Sequence, residues 1–590
     1  MSTGADPASA IVAALAGAGT RLVFGVPGGG PNLDVVGAAA AAGLRFVLAR
    51  GETAATIMAA TYADLTGAPG AVVVTRGPGL ASAVNGIAHA ALDRLPVVVI
   101  ADTVPAATSR ITHQLIDQDA LGRSVAKAAI KVGGPRTAER AARAVRTALA
   151  APAGPVVANM DESALDLDDS EAPEPLEPTR RRVATGTQVL AGAETPATAA
   201  AQVLAEAQVL ADALGMARCP VVLLGTRAIP LTAAVRKVLT GSGIPVLHTY
   251  RARGVIPDSA AEAAGLVTGG TMEWPLLSAA DLIVGLGVDE AEMIPAPWDY
   301  AARTILVTAD EPSGHGYFTG ATTLRLPLDR ALEALATGLA AALADGSGLG
   351  WAADAGRAAK EDATGRLIAA STAAPAASTA SPERLTPQQV VRTVRHGTPP
   401  ETIATVDAGA HMLVAMPLWE VPEPGRLLIS SGLATMGYAV PAAIAAALCT
   451  PRVPVVAFTG DGGLGMTLAE LETAVRLSLP VIVVVFNDAA LSLIEIKQQP
   501  SGQGGAEAVR YQPVSFAAAA TALGAAGAAV STEPDLAAAL AAALRRPGPT
   551  VIDAAVDPAC YPAVMDLTRG QAGRRSVPGT SRAIHAVTHE

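Results

Sequence analysis

Apolar runs of strand length alternate with longer alanine-rich stretches of helical length along this chain. In the first third, residues 21–26, 45–49, 71–75 and 97–101 read as strands. The pattern returns at 220–225, 244–248, 281–286 and 304–308, and again at 402–407, 427–430, 453–459, 481–487 and 549–554. Most of these runs are largely apolar rather than alternating, which predicts strands buried on both faces. Buried strands spaced by helices predict an α/β fold of three doubly wound parallel-sheet domains. Residues 166–200 are rich in acidic residues, Pro and Thr, and 346–382 in Ala, Ser and Thr; both read as linkers. The predicted organisation is a first domain over 1–165, a linker 166–200, a central domain 201–345, a linker 346–382, a third domain 383–570 and a tail 571–590 without periodicity.

Composition narrows the class. The chain has 590 residues, enough for about three or four domains at roughly 150 residues each. Its 42 basic and 53 acidic residues leave a formal charge of −11 with no basic run, so no nucleic-acid partner is expected. Hydrophobic residues make up 51% but aromatics only 3%, so much of the apolarity is alanine. The apolar run 436–449 contains Pro441 and falls short of the roughly 20 residues of a membrane span, so no membrane association is expected. The opening MSTGADPAS lacks a basic segment, and a secretory leader is not expected. Cys219, Cys449 and Cys560 form no pair and no metal spacing. Buried free thiols in a reducing, cytoplasmic location are the expectation.

Ligands in parallel sheets collect at the carboxyl ends of strands. The run 453–459 ends in Gly460-Asp461-Gly462-Gly463. Glycines let the backbone approach a phosphate and present its N–H groups, and an aspartate among them suits Mg²⁺. The next predicted strand ends in Asn487-Asp488. One strand–helix–strand crossover separates the two aspartates, so both carboxylates are expected as neighbours at one sheet edge. Two unrelated Asx turns are the plainer alternative.

In the first domain, Glu52 follows a predicted strand and enters an alanine-rich helix. A desolvated carboxyl there suits general acid–base work. A first-turn glutamate favoured by the helix dipole explains it equally well on local grounds. His411 reads either as a ligand-side residue or as a satisfied turn histidine, and His89 as a core histidine within a helix.

Several segments together carry a resemblance. They are Phe24-Gly25-Val26-Pro27-Gly28, then Glu52, then Thr75-Arg76-Gly77-Pro78-Gly79, then Asp93 with Pro96. Asp407-Ala408-Gly409-Ala410-His411, Gly432-Leu433-Ala434-Thr435-Met436-Gly437 and Gly460-Asp461-Gly462 with Asn487-Asp488 follow in the third domain. In this order they resemble the thiamine-diphosphate-dependent enzymes, and among them the large catalytic subunit of acetolactate synthases. The resemblance implies pyrimidine-binding, central and diphosphate-binding domains, with active sites between subunits of a homodimer or homotetramer. It implies Glu52 as the catalytic residue that hydrogen-bonds the aminopyrimidine. Cofactor contacts are implied for Pro27, Gly28, Gly77, Asn85, Gly409, His411, Ala434, Met436, Gly460, Asp461, Gly462, Gly463, Asp488, Leu491, Ser492 and Leu493. Mg²⁺ would be held by Asp461, Asp488 and the carbonyl of Ala490. The substrate side would include Gly29, His113, Gln114, Ile494, Glu495 and Lys497.

The chain also departs from the acetolactate synthase pattern. Gly51 replaces the usual His before Glu52, Asp488 replaces Asn, and Lys497 stands at the acceptor-selecting Trp position. Leu121-Gly122 replaces Phe-Gln, and neither 265–274 nor 287–290 resembles the flavin-contacting segments. Flavin is therefore not expected. The expected function is a thiamine-diphosphate- and Mg²⁺-dependent 2-oxoacid decarboxylase or carboligase acting on a small 2-oxoacid or acyl substrate. The alternatives are a 2-hydroxyacyl-CoA lyase or oxalyl-CoA decarboxylase type of lyase, for which no basic cluster to hold CoA phosphates is evident, and a non-catalytic homologue.

Overall fold

A computed structural model describes residues 6–104, 113–161, 196–309, 316–344, 348–372, 384–498 and 505–570. Among the described residues, eighteen strands form three six-stranded sheets, and every strand pairing within them is parallel. Counting each sheet's strands from its own N-terminal end, the first and third share the order 2-1-3-4-6-5. The central sheet runs 6-5-4-1-2-3, the doubly wound order of two mirrored halves. Among the described residues, no helix is long and apolar enough to cross a membrane.

Five strands carried too little signal in sequence. Ala128–Val132 contains Lys131, Val156–Met160 contains Asn159, and Ala263–Leu266, Thr322–Arg325 and Ala526–Val530 are built largely from small or polar residues. Sheet neighbours decide their conformation, since strand preference depends on packing more than on the backbone. The stretch expected as a second linker, 346–382, holds the helix Ala355–Ala369, which buries Ala355, Ala363 and Leu367. Just before it, buried Trp351 donates its indole N–H to the Pro220 carbonyl at 2.7 Å. Composition alone does not distinguish this alanine-rich helix from a linker. In the first linker, 162–195 lies outside the described residues, and a helix begins at Pro196. The tail 571–590 lies outside them too.

The first and third domains share one hydrophobic core. Helix Glu52–Thr66 of the first packs on helix Ala439–Cys449 of the third, with Ala55, Ala59, Ala442, Ala443 and Ala446 fully buried. Small side chains let two helices approach closely. The central domain keeps separate cores on the two faces of its own sheet.

In the central domain, His248 ends the strand Val246–His248 and is buried. Its Nε2 accepts the Ile256 N–H at 3.3 Å, and Nδ1 lies 3.4 Å from the Gly265 carbonyl. Only the neutral ring with hydrogen on Nδ1 satisfies both. Burial pushes its pKa down to about 4 from 6.5. A depressed histidine leaves the unfolded chain binding the extra proton, so this component of stability is present above about pH 6.5 and lost toward pH 4. The loss amounts to roughly 3 kcal/mol by linkage. Replacing His248 by Gln should flatten the fall of the unfolding midpoint between pH 7.5 and 4.5; an unaltered slope would show that His248 does not contribute.

Candidate active site

The strand Val455–Gly460 runs into the helix Asp461–Thr467, so Asp461 is the first helical residue at a carboxyl strand end. A Cβ on Gly463 would lie 2.2 Å from a buried Asp407 oxygen, and one on Gly462 2.7 Å from the end of the Leu491 side chain. The Asp461 carboxylate is buried and fully engaged. One oxygen accepts the Gly462 N–H and the Tyr511 hydroxyl, both at 2.6 Å. The other accepts the N–H groups of Ala489 at 2.6 Å and Asp488 at 3.2 Å. The strands before these two turns pair in register, Gly460 opposite Phe486, which brings the two aspartates together as their spacing predicts.

Asp488 has fewer partners. Its carboxylate accepts the Ser492 hydroxyl. Burial pushes its pKa up to about 7 against that hydrogen bond, with Asp461 and Glu495 adding to the rise. Burial also raises Asp461, against its four donors. Two neighbouring carboxylates beside a glycine loop are a donor set for a hard divalent cation. Among the described residues no group of three or more His, Cys, Asp and Glu side chains could hold a metal. A cation here would complete its shell with backbone and ligand oxygens.

A second strand end faces this loop. Asp407 follows the strand Ile403–Val406 and accepts from the N–H groups of Gly437 and Tyr438, both at 3.1 Å, and from the Thr459 hydroxyl at 2.9 Å. Burial raises its pKa to about 6 against these donors. It thereby ties the loop bearing Ala434 and Met436 to the strand leading into Asp461. His411 stacks on Phe486 with ring centroids 5.3 Å apart, and burial lowers its pKa to about 4. Among the described residues its Nε2 is buried without a partner, while the ring hydrogen-bonds the Asp407 backbone. Ala434 holds a left-handed φ of 50° and Ala489 one of 57°, each costing about 1 kcal/mol for a residue with a Cβ.

A cavity of about 180 Å³ opens between these loops. Gly409, His411, Ala434, Met436, Gly460, Asp461, Gly462, Gly463, Asp488, Ala490, Leu491, Ser492, Leu493 and Ile494 all line it. Glu495 and Lys497 do not. Glu495 instead forms a two-pronged pair with Arg510 at 2.8 and 2.9 Å, and Lys497 is exposed. Sequence reasoning missed Tyr511, which reaches Asp461 from a segment with no local signal, and Tyr561, which lines the cavity. Tyr561 opens the helix soon after the last predicted strand, so the strand-end rule pointed to it. The orphaned His411 nitrogen, the glycine cradle and the carboxylate pair all fit a diphosphate with its cation.

The first-domain residues gather at their own sheet edge. Glu52 opens its helix behind Gly51, and its Oε1 lies 3.5 Å from where a Cβ on Gly79 would sit. Gly77, at φ 64°, donates to Gln118 at 2.9 Å and leaves no room for a Cβ against the Gln114 carbonyl, 2.4 Å away. Gly28 donates to Asn32 at 2.8 Å under Thr75. Pro27 and Gly29 flank Gly28, and His113 precedes Gln114 on an exposed turn. None of these residues lines the cavity. Asn85 donates to the Thr435 hydroxyl at 2.8 Å, so its amide serves the Met436 loop within the same chain. His89, one helical turn on, meets Ser430 at 3.0 Å, and Asp93 accepts from Ser431 and Gly432 at 3.1 and 2.6 Å. His89 is thus buried at the domain junction, not inside one domain's core.

Comparison with known proteins follows the same division. The model for the N-terminal TPP binding domain of thiamine pyrophosphate enzymes matches residues 6–121, that for the central domain 207–335, and that for the C-terminal TPP binding domain 407–554. The catabolic acetolactate synthase of Raoultella terrigena is 30% identical over 94% of this chain and 95% of its own. The acetolactate synthase of Bacillus subtilis is 28% identical over 93% of each. A 2-hydroxyacyl-CoA lyase of rice, Oryza sativa subsp. japonica, is 28% identical over 92% of this chain and 94% of its own. The chain belongs to the thiamine pyrophosphate enzymes, and is an acetolactate-synthase-like member of the class that makes or breaks carbon–carbon bonds.

Proposed function

We propose that this protein is a thiamine-diphosphate- and Mg²⁺-dependent decarboxylase or carboligase of small 2-oxoacids. The observation that carries the reading is the Asp461–Asp488 pair at the mouth of a glycine-lined cavity. Bound thiamine diphosphate supplies a carbon nucleophile that adds to a carbonyl and accepts the electron pair of the adjacent C–C bond. Asp461, Asp488 and the Ala490 carbonyl would hold Mg²⁺. Gly460, Gly462, Gly463, Gly409 and His411 would cradle the diphosphate. Met436 would support the bend between the two rings, and the Ala434 carbonyl would accept from the exocyclic amine. Glu52 would hydrogen-bond the aminopyrimidine and govern its proton. Leu493, Ile494 and Tyr561 would form an apolar wall suited to a small acyl group.

The reading places each site between subunits of a homodimer or homotetramer. Supporting this, the cavity is lined by third-domain residues alone, while Pro27, Gly28, Glu52 and Gly77 gather at another edge. Exposed Leu115 and Ile116 flank the one set, and exposed Met466, Ile494, Tyr511 and Val514 surround the other. Large exposed apolar side chains beside functional loops suit a partner surface. Free Cys219, Cys449 and Cys560 support a reducing, cytoplasmic setting. The similarity to the rice lyase favours acyl-CoA cleavage as the second reading; release of an aldehyde from 2-hydroxyacyl-CoA, with no CO₂ from 2-oxoacids, would select it.

Flavin is not part of the proposal. Glu273 is buried and accepts from Thr268 and Gly269 within its own segment, and Asp289 pairs with Arg94 and Arg227. These side chains are committed to the fold. The purified protein should carry far less than one flavin per chain; a visible absorption band equivalent to a full complement would refute this.

Activity should depend on thiamine diphosphate and a divalent cation, and Asp461→Ala should abolish metal-dependent cofactor binding by calorimetry. Full turnover after exhaustive removal of both would overturn the proposal. Glu52→Gln should keep fold and cofactor but lose about 10²–10⁴-fold in turnover. The loss should lie in the chemical step rather than in substrate binding. Exchange of the cofactor C2 proton with D₂O reads this directly, and parental exchange in the Gln variant would rule out Glu52 as activator.

A further inference from the structure

Glu470 is 2% exposed, yet it lies at the contact between two domains. It opens the helix Glu470–Arg476, which follows the helix Asp461–Thr467 almost directly. Its Oε1 accepts the backbone N–H groups of Arg50 at 2.9 Å and Gly51 at 3.1 Å. Its Oε2 accepts the Thr473 hydroxyl at 2.8 Å. Arg476 of the same helix donates to the Leu48 carbonyl at 2.6 Å. The third domain therefore grips the backbone on the approach to Glu52.

That approach has little else to fix it. Gly51 is the N-cap of the Glu52 helix and makes no side-chain cap bond. A Cβ on Gly51 would meet nothing within 4 Å, so packing around the residue does not set its conformation. Glycine is also the residue with the widest choice of backbone angles. A single oxygen that accepts two successive N–H groups restricts the peptide between them and the direction in which Glu52 leaves the strand end. Burying a carboxylate is costly unless its hydrogen bonds are complete, and two of the three that Glu470 accepts are spent on this turn.

We propose that Glu470 is a positioning residue that holds Glu52 in register for proton transfer. The proposal rests on the reading of Glu52 given above. Since a misplacement of about 1 Å can cost on the order of 10²-fold in rate, the effect belongs in the proton step.

The test is C2 proton exchange on the holoenzyme, saturated with thiamine diphosphate and Mg²⁺, in four variants: Glu52→Gln, Glu470→Ala, Glu470→Gln, and Glu52→Gln combined with Glu470→Ala. Glu470→Ala should slow exchange about 10- to 100-fold, with the substrate KM unchanged. Glu470→Gln should exchange near the parental rate, because the amide oxygen still accepts both N–H groups and the amide N–H can meet Thr473. The double variant should be no slower than Glu52→Gln alone, since residues acting through one another are not additive. Parental exchange in Glu470→Ala beside slow exchange in Glu52→Gln would overturn the role of Glu470 and leave Glu52 standing. A full additional loss in the double variant, or a Gln variant as slow as the Ala one, would also overturn it. Parental exchange in Glu52→Gln would remove the reading of Glu52 and this proposal with it. If Glu470→Ala does not fold, Thr473→Val takes its place: it removes the bond that orients Oε2, slower exchange supports the proposal, and parental exchange overturns it.

Discussion

The close packing of two alanine-rich helices, Glu52–Thr66 and Ala439–Cys449, is the constraint on which the rest of this structure depends. Alanine favours the helix and keeps the two backbones near one another. That nearness lets helix Pro78–Leu92 reach the Met436 loop through Asn85, His89 and Asp93. It equally lets Glu470 reach Arg50 and Gly51. A larger residue at Ala442 or Ala446 would force the helices apart, and overpacking of this kind costs about 1–3 kcal/mol. Its effect would reach two functional loops that the substituted residue never touches.

The buried carboxylates divide by how completely they are satisfied. Asp407 collects donors from two other segments and joins them to its own strand end. Glu292, likewise, binds Thr226 and Thr249 and braces the central sheet. Asp488, by contrast, has one side-chain donor and faces another acid. Asp488 keeps lone pairs open beside a like charge, an arrangement that favours a cation.

Much of this was legible in sequence because glycine and aspartate punctuate strand ends. The runs before Asp407, Asp461 and Asp488 are largely apolar, so their strands and the residues that leave them follow from pattern alone. Spacing says nothing about Arg510, which reaches Glu495 from beyond the next turn. Tyr511 and Glu470 escaped for a related reason: each acts on a backbone or side chain distant in sequence, and no local period encodes such a contact. Helix Ala355–Ala369 escaped because alanine and threonine blur the contrast between its buried and open faces.

A core shared between the first and third domains also sets an order of events during synthesis. The Glu52 helix leaves the ribosome early, but the helix that covers it follows only after the whole central domain and both intervening segments. At roughly 5–20 residues per second, the nascent first domain waits many seconds with one face uncovered. The central domain has its own cores and can close in the meantime. Newly made chains therefore pass through a stage in which an alanine-rich surface is open to holding chaperones, or to the matching helix of a neighbouring chain on the same message.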